Sequence, residues 1–182
     1  MATARETRDI RLRPVCAGDQ AAVAALLRAL GYVAGGGDDL AALLRATAGR
    51  ADMALFLATA HDDPHGEPLG LIGLSQRPQL QLGGTLVSID TLAVRADARG
   101  RGVGRRLLRR ARAYARLHRA VRIEVHTTRA RENYRRGFYP ANGYQEANSA
   151  LFRHEIAPTA VRYDQTTRAT TSVVRDEARK GR

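Results

Sequence analysis

Residues 88–118 read Ser-Ile-Asp-Thr-Leu-Ala-Val-Arg-Ala-Asp-Ala-Arg-Gly-Arg-Gly-Val-Gly-Arg-Arg-Leu-Leu-Arg-Arg-Ala-Arg-Ala-Tyr-Ala-Arg-Leu-His. With Leu86 and Val87 in front, Ile89, Leu92 and Val94 make a short β-branched and apolar run of the kind that favours a buried strand. Residues 97–104 break that pattern with Gly100, Gly102 and Gly104 at alternate positions. From Arg105 the period becomes helical: Leu107, Leu108, Ala111, Tyr114 and Ala115 share one face, and Arg105, Arg106, Arg109, Arg110, Arg112 and Arg116 fill the other. A glycine turn that opens a helix after a strand is an anion site. The first N–H groups of the helix lack internal partners, the dipole is positive there, and glycine lets a ligand come close.

Two phosphate motifs are excluded. The P-loop needs Gly-Lys-Ser/Thr, and the single lysine of the chain is Lys180. The dinucleotide fingerprint needs Gly-x-Gly-x-x-Gly, and arginine stands at position 105. The stretch does fit Arg-x-x-Gly-x-Gly, as Arg99-Gly100-Arg101-Gly102-Val103-Gly104. Flanked by Leu92-Ala93-Val94 and Leu107-Leu108, it resembles the coenzyme A pyrophosphate loop of the GNAT superfamily of N-acetyltransferases. The competing reading is a plain strand–helix turn. A second stretch, Phe138-Tyr139-Pro140-Ala141-Asn142-Gly143-Tyr144, resembles the Phe/Leu-Tyr-x-x-x-Gly-Phe/Tyr signature of the same superfamily.

Length and composition bound the rest. The 182 residues suit one domain with a real core, and no apolar run approaches a membrane span. The N-terminus lacks the apolar stretch of a signal peptide. The lone Cys16 excludes an internal disulfide, so a cytoplasmic location is expected. Net charge is +12, with ten arginines between Arg99 and Arg122. Such a field attracts a polyanionic cofactor and, non-specifically, nucleic acid. Aromatic residues do not interleave with the arginines, so no stacking platform is apparent and nucleic acid is read as incidental.

Along the chain, residues 1–8 read as a loose arm and 9–14 as a first strand. Gly18-Asp19 caps a helix striped by Val23, Leu26, Leu27 and Leu30 and stopped at Gly31. Gly35-Gly36-Gly37 is a break, and Asp38-Asp39 opens a second helix to about residue 47. Residues 53–60 and 69–75 read as paired strands. The loop between them holds His61, Asp62, Asp63 and His65, but Pro64 makes it a polar turn rather than a metal site. Residues 79–85 make a hairpin into the central strand, and 121–127 form a fifth strand. Residues 130–139 read as a short helix, with Pro140 holding Tyr139 away from helical ψ. Residues 143–147 and 149–156 read as two closing strands, and 158–182 as a polar tail. The expected fold is α/β: the GNAT fold, a mixed, mostly antiparallel sheet of six to seven strands with helices on both faces. The acetyltransferase domain spans 9–157.

The resemblance implies the chemistry. An amine attacks acetyl-CoA directly in a ternary complex, with coenzyme A bound by Leu92, Ala93, Val94, Arg99, Gly100, Arg101, Gly102, Val103, Gly104 and Arg105. A backbone N–H in the Leu92–Ala93–Val94 segment would serve the oxyanion. Tyr139 matches the tyrosine that protonates the departing thiolate. Asn133, one position off the family's asparagine, is a further cofactor contact. Asp90 is the favoured base or substrate orienter, two residues before the cofactor segment, with Glu124 and His126 as alternatives. No metal is implied. The run 136–153 is similar to the aminoalkylphosphonate N-acetyltransferase branch. The acceptor is expected to be a primary amine, by preference a small molecule, with aminoglycosides, polyamines, amino acids and protein N-termini all left open, and a homodimer is compatible with the family. The alternatives are a non-catalytic coenzyme A-binding module and, less favoured, a nucleic-acid-binding protein.

Overall fold

The computed structural model describes residues 10–32, 37–63, 66–152, 154 and 156. Five strands form one sheet in the order β1-β2-β3-β4-β5: β1 (Ile10–Pro14), β2 (Met53–Ala60), β3 (Gly70–Gln79), β4 (Gly84–Val94) and β5 (Ala120–Val125). The first four run antiparallel to their neighbours, and β4 and β5 are parallel. The parallel pair follows from the connection. A helix, α3 (Val103–Leu117), carries the chain back along the sheet, as parallel strands require.

α3 buries Val103, Leu107, Leu108, Ala111, Tyr114 and Ala115 on one side of the sheet, against Phe56, Ile72, Leu74, Val87 and Ile89. The opposite face carries α1 (Gln20–Arg28) and α2 (Gly37–Thr47), where Val23, Leu26 and Leu44 pack on Leu57, Leu71 and Ala93. Period-two alternation in β2, β3 and β4 divides these two cores. Helices therefore lie on both faces, as the sequence predicts.

Three expectations are corrected. Among the described residues the sheet has five strands rather than six to seven. Residues 143–147 are a turn and irregular chain, and the described residues of 149–156 are not strand. Side chains hold the first of these segments. Tyr144 packs on the α3-side core, while Glu146 accepts from the Tyr134 hydroxyl at 2.8 Å and pairs with Arg129 at 2.7 Å. Second, the helix expected over 130–139 is one turn, α4 (Glu132–Arg135), and Gly137 at φ 63° ends it before Tyr139. Third, Tyr139 adopts φ −71°, ψ −48° despite the proline that follows. Burial of its ring and the bonds from the Asn142 and Tyr144 N–H groups to its carbonyl outweigh that local bias.

Asp19 is the residue just before α1, as expected of a cap, but its carboxylate does not bond the helix N–H groups. It turns back to Arg13 at 2.6 and 2.7 Å and accepts the Cys16 N–H at 2.8 Å. The arm at 1–8, the glycines at 35 and 36, Pro64 and His65, and the tail at 158–182 lie outside the described residues.

Candidate active site

The site begins where β4 and β5 part. Their last paired residues are Ile89 and Val125. β4 continues to Val94, held on its other side by β3 through Gly73–Thr91, Ile72–Leu92, Leu71–Ala93 and Gly70–Val94. Asp90 is an extra residue in this ladder, because Gly73 faces Thr91 while the next residue, Leu74, faces Ile89. It forms a bulge, which bends the strand and increases its twist where the two strands separate. Asp90 and His126, both exposed, are the first residues past the fork on either strand.

Beyond Ile89 the edge of β4 within the fork pairs with no strand among the described residues. Arg95 N–H donates to the Leu69 carbonyl, on the β3 side. By alternation the backbone groups of Thr91 and Ala93 also turn to β3, and those of Leu92 and Val94 turn into the fork. Of the three residues predicted to hold the cofactor here, Leu92 and Val94 therefore present their backbone. Ala93 is spent on the sheet and fully buried.

Beyond β4 a turn through 96–98 leads to Gly100 at φ 79° and Gly102 at φ 85°. Gly102 is the residue before α3, and no side chain caps the helix. The Arg106 N–H makes the first bond of α3, to the Gly102 carbonyl, so the N–H groups of Val103, Gly104 and Arg105 have no partner within the helix. Two left-handed glycines before bare N–H groups at a positive helix end form an anion cradle. Gly104 serves packing instead, since a Cβ there would stand 2.9 Å from the Phe138 ring. Arg101 and Arg105 are exposed, Val103 is buried, and Arg99 reaches Glu132 of α4 at 3.5 Å.

Phe138 couples this loop to Tyr139. The two rings meet edge to face at 5.2 Å, and the Tyr144 ring lies 6.1 Å from Tyr139. Tyr139 is 8% exposed. Its hydroxyl receives a bond from the Asn133 amide at 3.4 Å and also engages the Thr127 side chain just past β5. Burial pushes its pKa up, only partly opposed by Thr127, Arg131 and Asn133. It is a protonated donor at neutral pH. Asn133 thus sits against the tyrosine, its side-chain oxygen Oδ1 accepting from the Tyr134 N–H at 2.9 Å.

The direction of β5 is fixed by its packing. Ile123 and Val125 join the α3-side core, so Arg122 and Glu124 point to the other face, that of α1 and α2. Glu124 stands level with Ser88 and lies 3.4 Å from Arg122. Thr127 and Arg131 were not singled out in the sequence, where an isolated threonine and one more arginine carry no signal. Among the described residues no three His, Cys, Asp or Glu side chains gather as a metal site would require.

The Acetyltransferase (GNAT) family profile matches residues 19–144, from the start of α1 through the fork and the Tyr139 turn. The chain belongs to the GNAT acetyltransferase family. No curated protein sequence matches this acetyltransferase family member. Solved structures share its fold. A transcriptional regulator from Bacillus halodurans C-125 aligns with TM-score 0.67 at 19% identity, over 80% of this chain and 99% of its own. A GNAT family acetyltransferase from Staphylococcus aureus gives 0.64 at 19% identity, over 81% and 99%. An aminoglycoside acetyltransferase from an uncultured soil sample, solved with sisomicin, gives 0.64 at 14% identity, over 82% and 98%. At these identities the likeness is one of fold.

Proposed function

We propose that this GNAT family member is an acetyl-CoA-dependent N-acetyltransferase that acetylates a small-molecule primary amine by direct attack in a ternary complex. The observation that carries the reading is the fork. The opening where β4 and β5 part leads to the glycine turn and bare N–H groups that start α3, and a buried, protonated phenol is packed against that turn through Phe138. Pantetheine would lie along Leu92 and Val94 as an extra strand, with the pyrophosphate on the N–H groups of 103–105. Arg99, Arg101 and Arg105 would surround it, Asn133 would border it, and Ala93 would shape the floor.

In the reaction the amine loses a proton to Asp90, directly or through a water, and its nitrogen attacks the thioester carbon. The oxyanion is met by a backbone N–H at Leu92 or Val94. Collapse breaks the carbon–sulfur bond, and Tyr139 gives its proton to the thiolate. The Asn133 and Thr127 contacts hold the phenol in place and receive the phenolate that forms. No metal enters these steps. No helix of the described residues is long and apolar enough to cross a membrane, and with a single free cysteine the cytoplasm is the proposed location.

One observation favours a second reading, a non-catalytic coenzyme A-binding module: the Tyr139 hydroxyl already has two partners. Calorimetric titration with acetyl-CoA, on wild type and Gly102→Glu, combined with thiol release over an amine panel, separates the two. Micromolar binding lost in the variant, with turnover of an amine, supports the enzyme. Binding without turnover of any amine supports the module, and no binding by folded wild type rejects both.

A further inference from the structure

The end of α1 and the start of α4 meet past the end of β5. Gly31, at φ 82°, closes α1 in a left-handed turn, with the Tyr32 N–H on the Leu27 carbonyl at 3.1 Å and the Gly31 N–H on the Arg28 carbonyl at 2.9 Å. That cap fixes the backbone of Tyr32. Arg131, just before α4, is fixed as well. Its N–H bonds the Thr128 carbonyl at 3.0 Å, and its own carbonyl accepts from the Tyr134 and Arg135 N–H groups, each at 3.1 Å. Between these anchors the Arg131 guanidinium carbon lies 5.6 Å from the centre of the Tyr32 ring, the reach of a cation held on an aromatic face.

The contact joins the two faces of the sheet. α1 packs on the side of Leu57, Leu71 and Ala93, whereas Phe138 and Tyr144, on either side of Tyr139 in the chain, pack with the α3-side core. The Arg131 charge nevertheless acts on the Tyr139 phenol, which the Asn133 amide, two residues further along, also reaches. Around that phenol the Tyr144 ring, the Thr127 side chain and the Asn133 amide are neutral, and Arg131 is the charged group that acts on it. Neutral partners hold a phenol in place. A cation beside it favours the charged form, the phenolate that remains once the proton has left.

We propose that Arg131 is a positioning residue for acetyl transfer: with its guanidinium braced on Tyr32, it stabilises the phenolate formed when Tyr139 protonates the departing thiolate. The proposal rests on the acetyltransferase reading and adds a role which that reading does not assign. In this step the Tyr139 O–H bond breaks, an S–H bond forms on coenzyme A, and the negative charge passes from sulfur to the phenol oxygen. The phenolate then recovers a proton from solvent, the equivalent of the one given up by the amine. Arg131 acts through Tyr139 rather than on a substrate.

Two measurements on the full chain test this. In the first, 3,5-difluorotyrosine, a more acidic phenol, replaces Tyr139, and its titration is followed by fluorine NMR. Arg131→Gln should move the midpoint to higher pH, and Arg131→Lys should leave it near that of the parent. Tyr32→Leu, which frees the guanidinium, should give part of the Arg131→Gln shift. In the second, thiol release from acetyl-CoA is measured with kanamycin, spermidine, glycine and a short peptide with a free N-terminus. With the amine that wild type acetylates, Arg131→Gln should lower kcat about tenfold. KM for the amine and acetyl-CoA affinity should hardly change, and Arg131→Lys should restore kcat. In a Tyr139→Phe background Arg131→Gln should cost nothing further. An unmoved midpoint in Arg131→Gln overturns the proposal. So does an equal loss in Arg131→Lys, or the same fall in kcat without the Tyr139 hydroxyl. If wild type binds acetyl-CoA but acetylates none of the four amines, the acetyltransferase reading fails and this role with it, and the fluorine titration shows separately whether Arg131 acts on the phenol.

Discussion

The Asn133 side-chain amide donates to the Tyr139 hydroxyl across 3.4 Å, joining α4 to the turn that follows it. The two residues are brought together by the left-handed Gly137, which folds the chain back so that Phe138 N–H reaches the Asn133 carbonyl at 3.0 Å. A buried phenol with a neutral amide donor and a threonine beside it is held by those contacts, and in the proposed mechanism it is the proton donor.

Tyr139→Phe should therefore lower kcat by about 10²-fold or more, the usual worth of a positioned acid. Acetyl-CoA affinity should change little, since the ring stays. Because burial raises the Tyr139 pKa, the acid form persists to higher pH than in a free tyrosine. The pH–rate profile of wild type should show no loss attributable to this phenol up to about pH 10. Steady-state kinetics and calorimetry on the variant check the first point, and the high-pH limb checks the second.

Gly104→Ala should weaken coenzyme binding by disturbing the start of α3. The new Cβ meets Phe138 at 2.9 and 3.2 Å, and the ring can yield only by shifting against Tyr139. A loss of about 1–3 kcal/mol in stability is expected from such overpacking, together with a fall in kcat. Unaltered unfolding and kinetics would show that the Phe138 ring is free to move.

Asp19→Asn tests the pair between the end of β1 and the start of α1. The Arg13 bond holds the Asp19 carboxyl down, to about 2 from an ordinary 3.8, with the Cys16 N–H helping against the cost of burial. The folded pKa lies below the unfolded one, so the stabilisation is complete above about pH 4 and is lost as pH falls toward 2. At about 1.4 kcal/mol per pH unit the effect is on the order of 2 kcal/mol. Urea unfolding at pH 7 should show wild type more stable than the variant by that amount, and the gap should close by about pH 2.

Leu107→Ala removes a fully buried side chain where α3 crosses the sheet. A loss of about 3 kcal/mol is expected for a cavity of that kind. For a chain of this size it corresponds to a drop in Tm of about 10 °C. Scanning calorimetry reads it directly.

Much of this was legible in the sequence. The alternation in β2 to β4, the glycine-rich turn and the apolar stripe of α3 are local patterns with one physical solution each. They suffice for β2 to β4, for α3 and for the turn that joins them. The strands expected at 143–147 and 149–156 are absent from the described residues of those segments. In the molecule Tyr144 and Glu146 find side-chain partners instead. The conformation of Tyr139 was misjudged for a related reason. A proline's local bias is worth little beside burial of an aromatic ring.

The sequence by itself determined the order of elements from β1 to β5, the glycine turn that opens α3, and the membership in a family of acetyltransferases, because these depend on residues adjacent in the chain. Only the tertiary structure decided which strands part and after which pair, that Asp90 is the bulged residue, and that Leu92 and Val94 rather than Ala93 face the opening. It also decided that Glu124 points away from α3 and stands level with Ser75 and Ser88. Register is a property of two strands at once, and a slip of one residue would turn every one of these side chains to the other face.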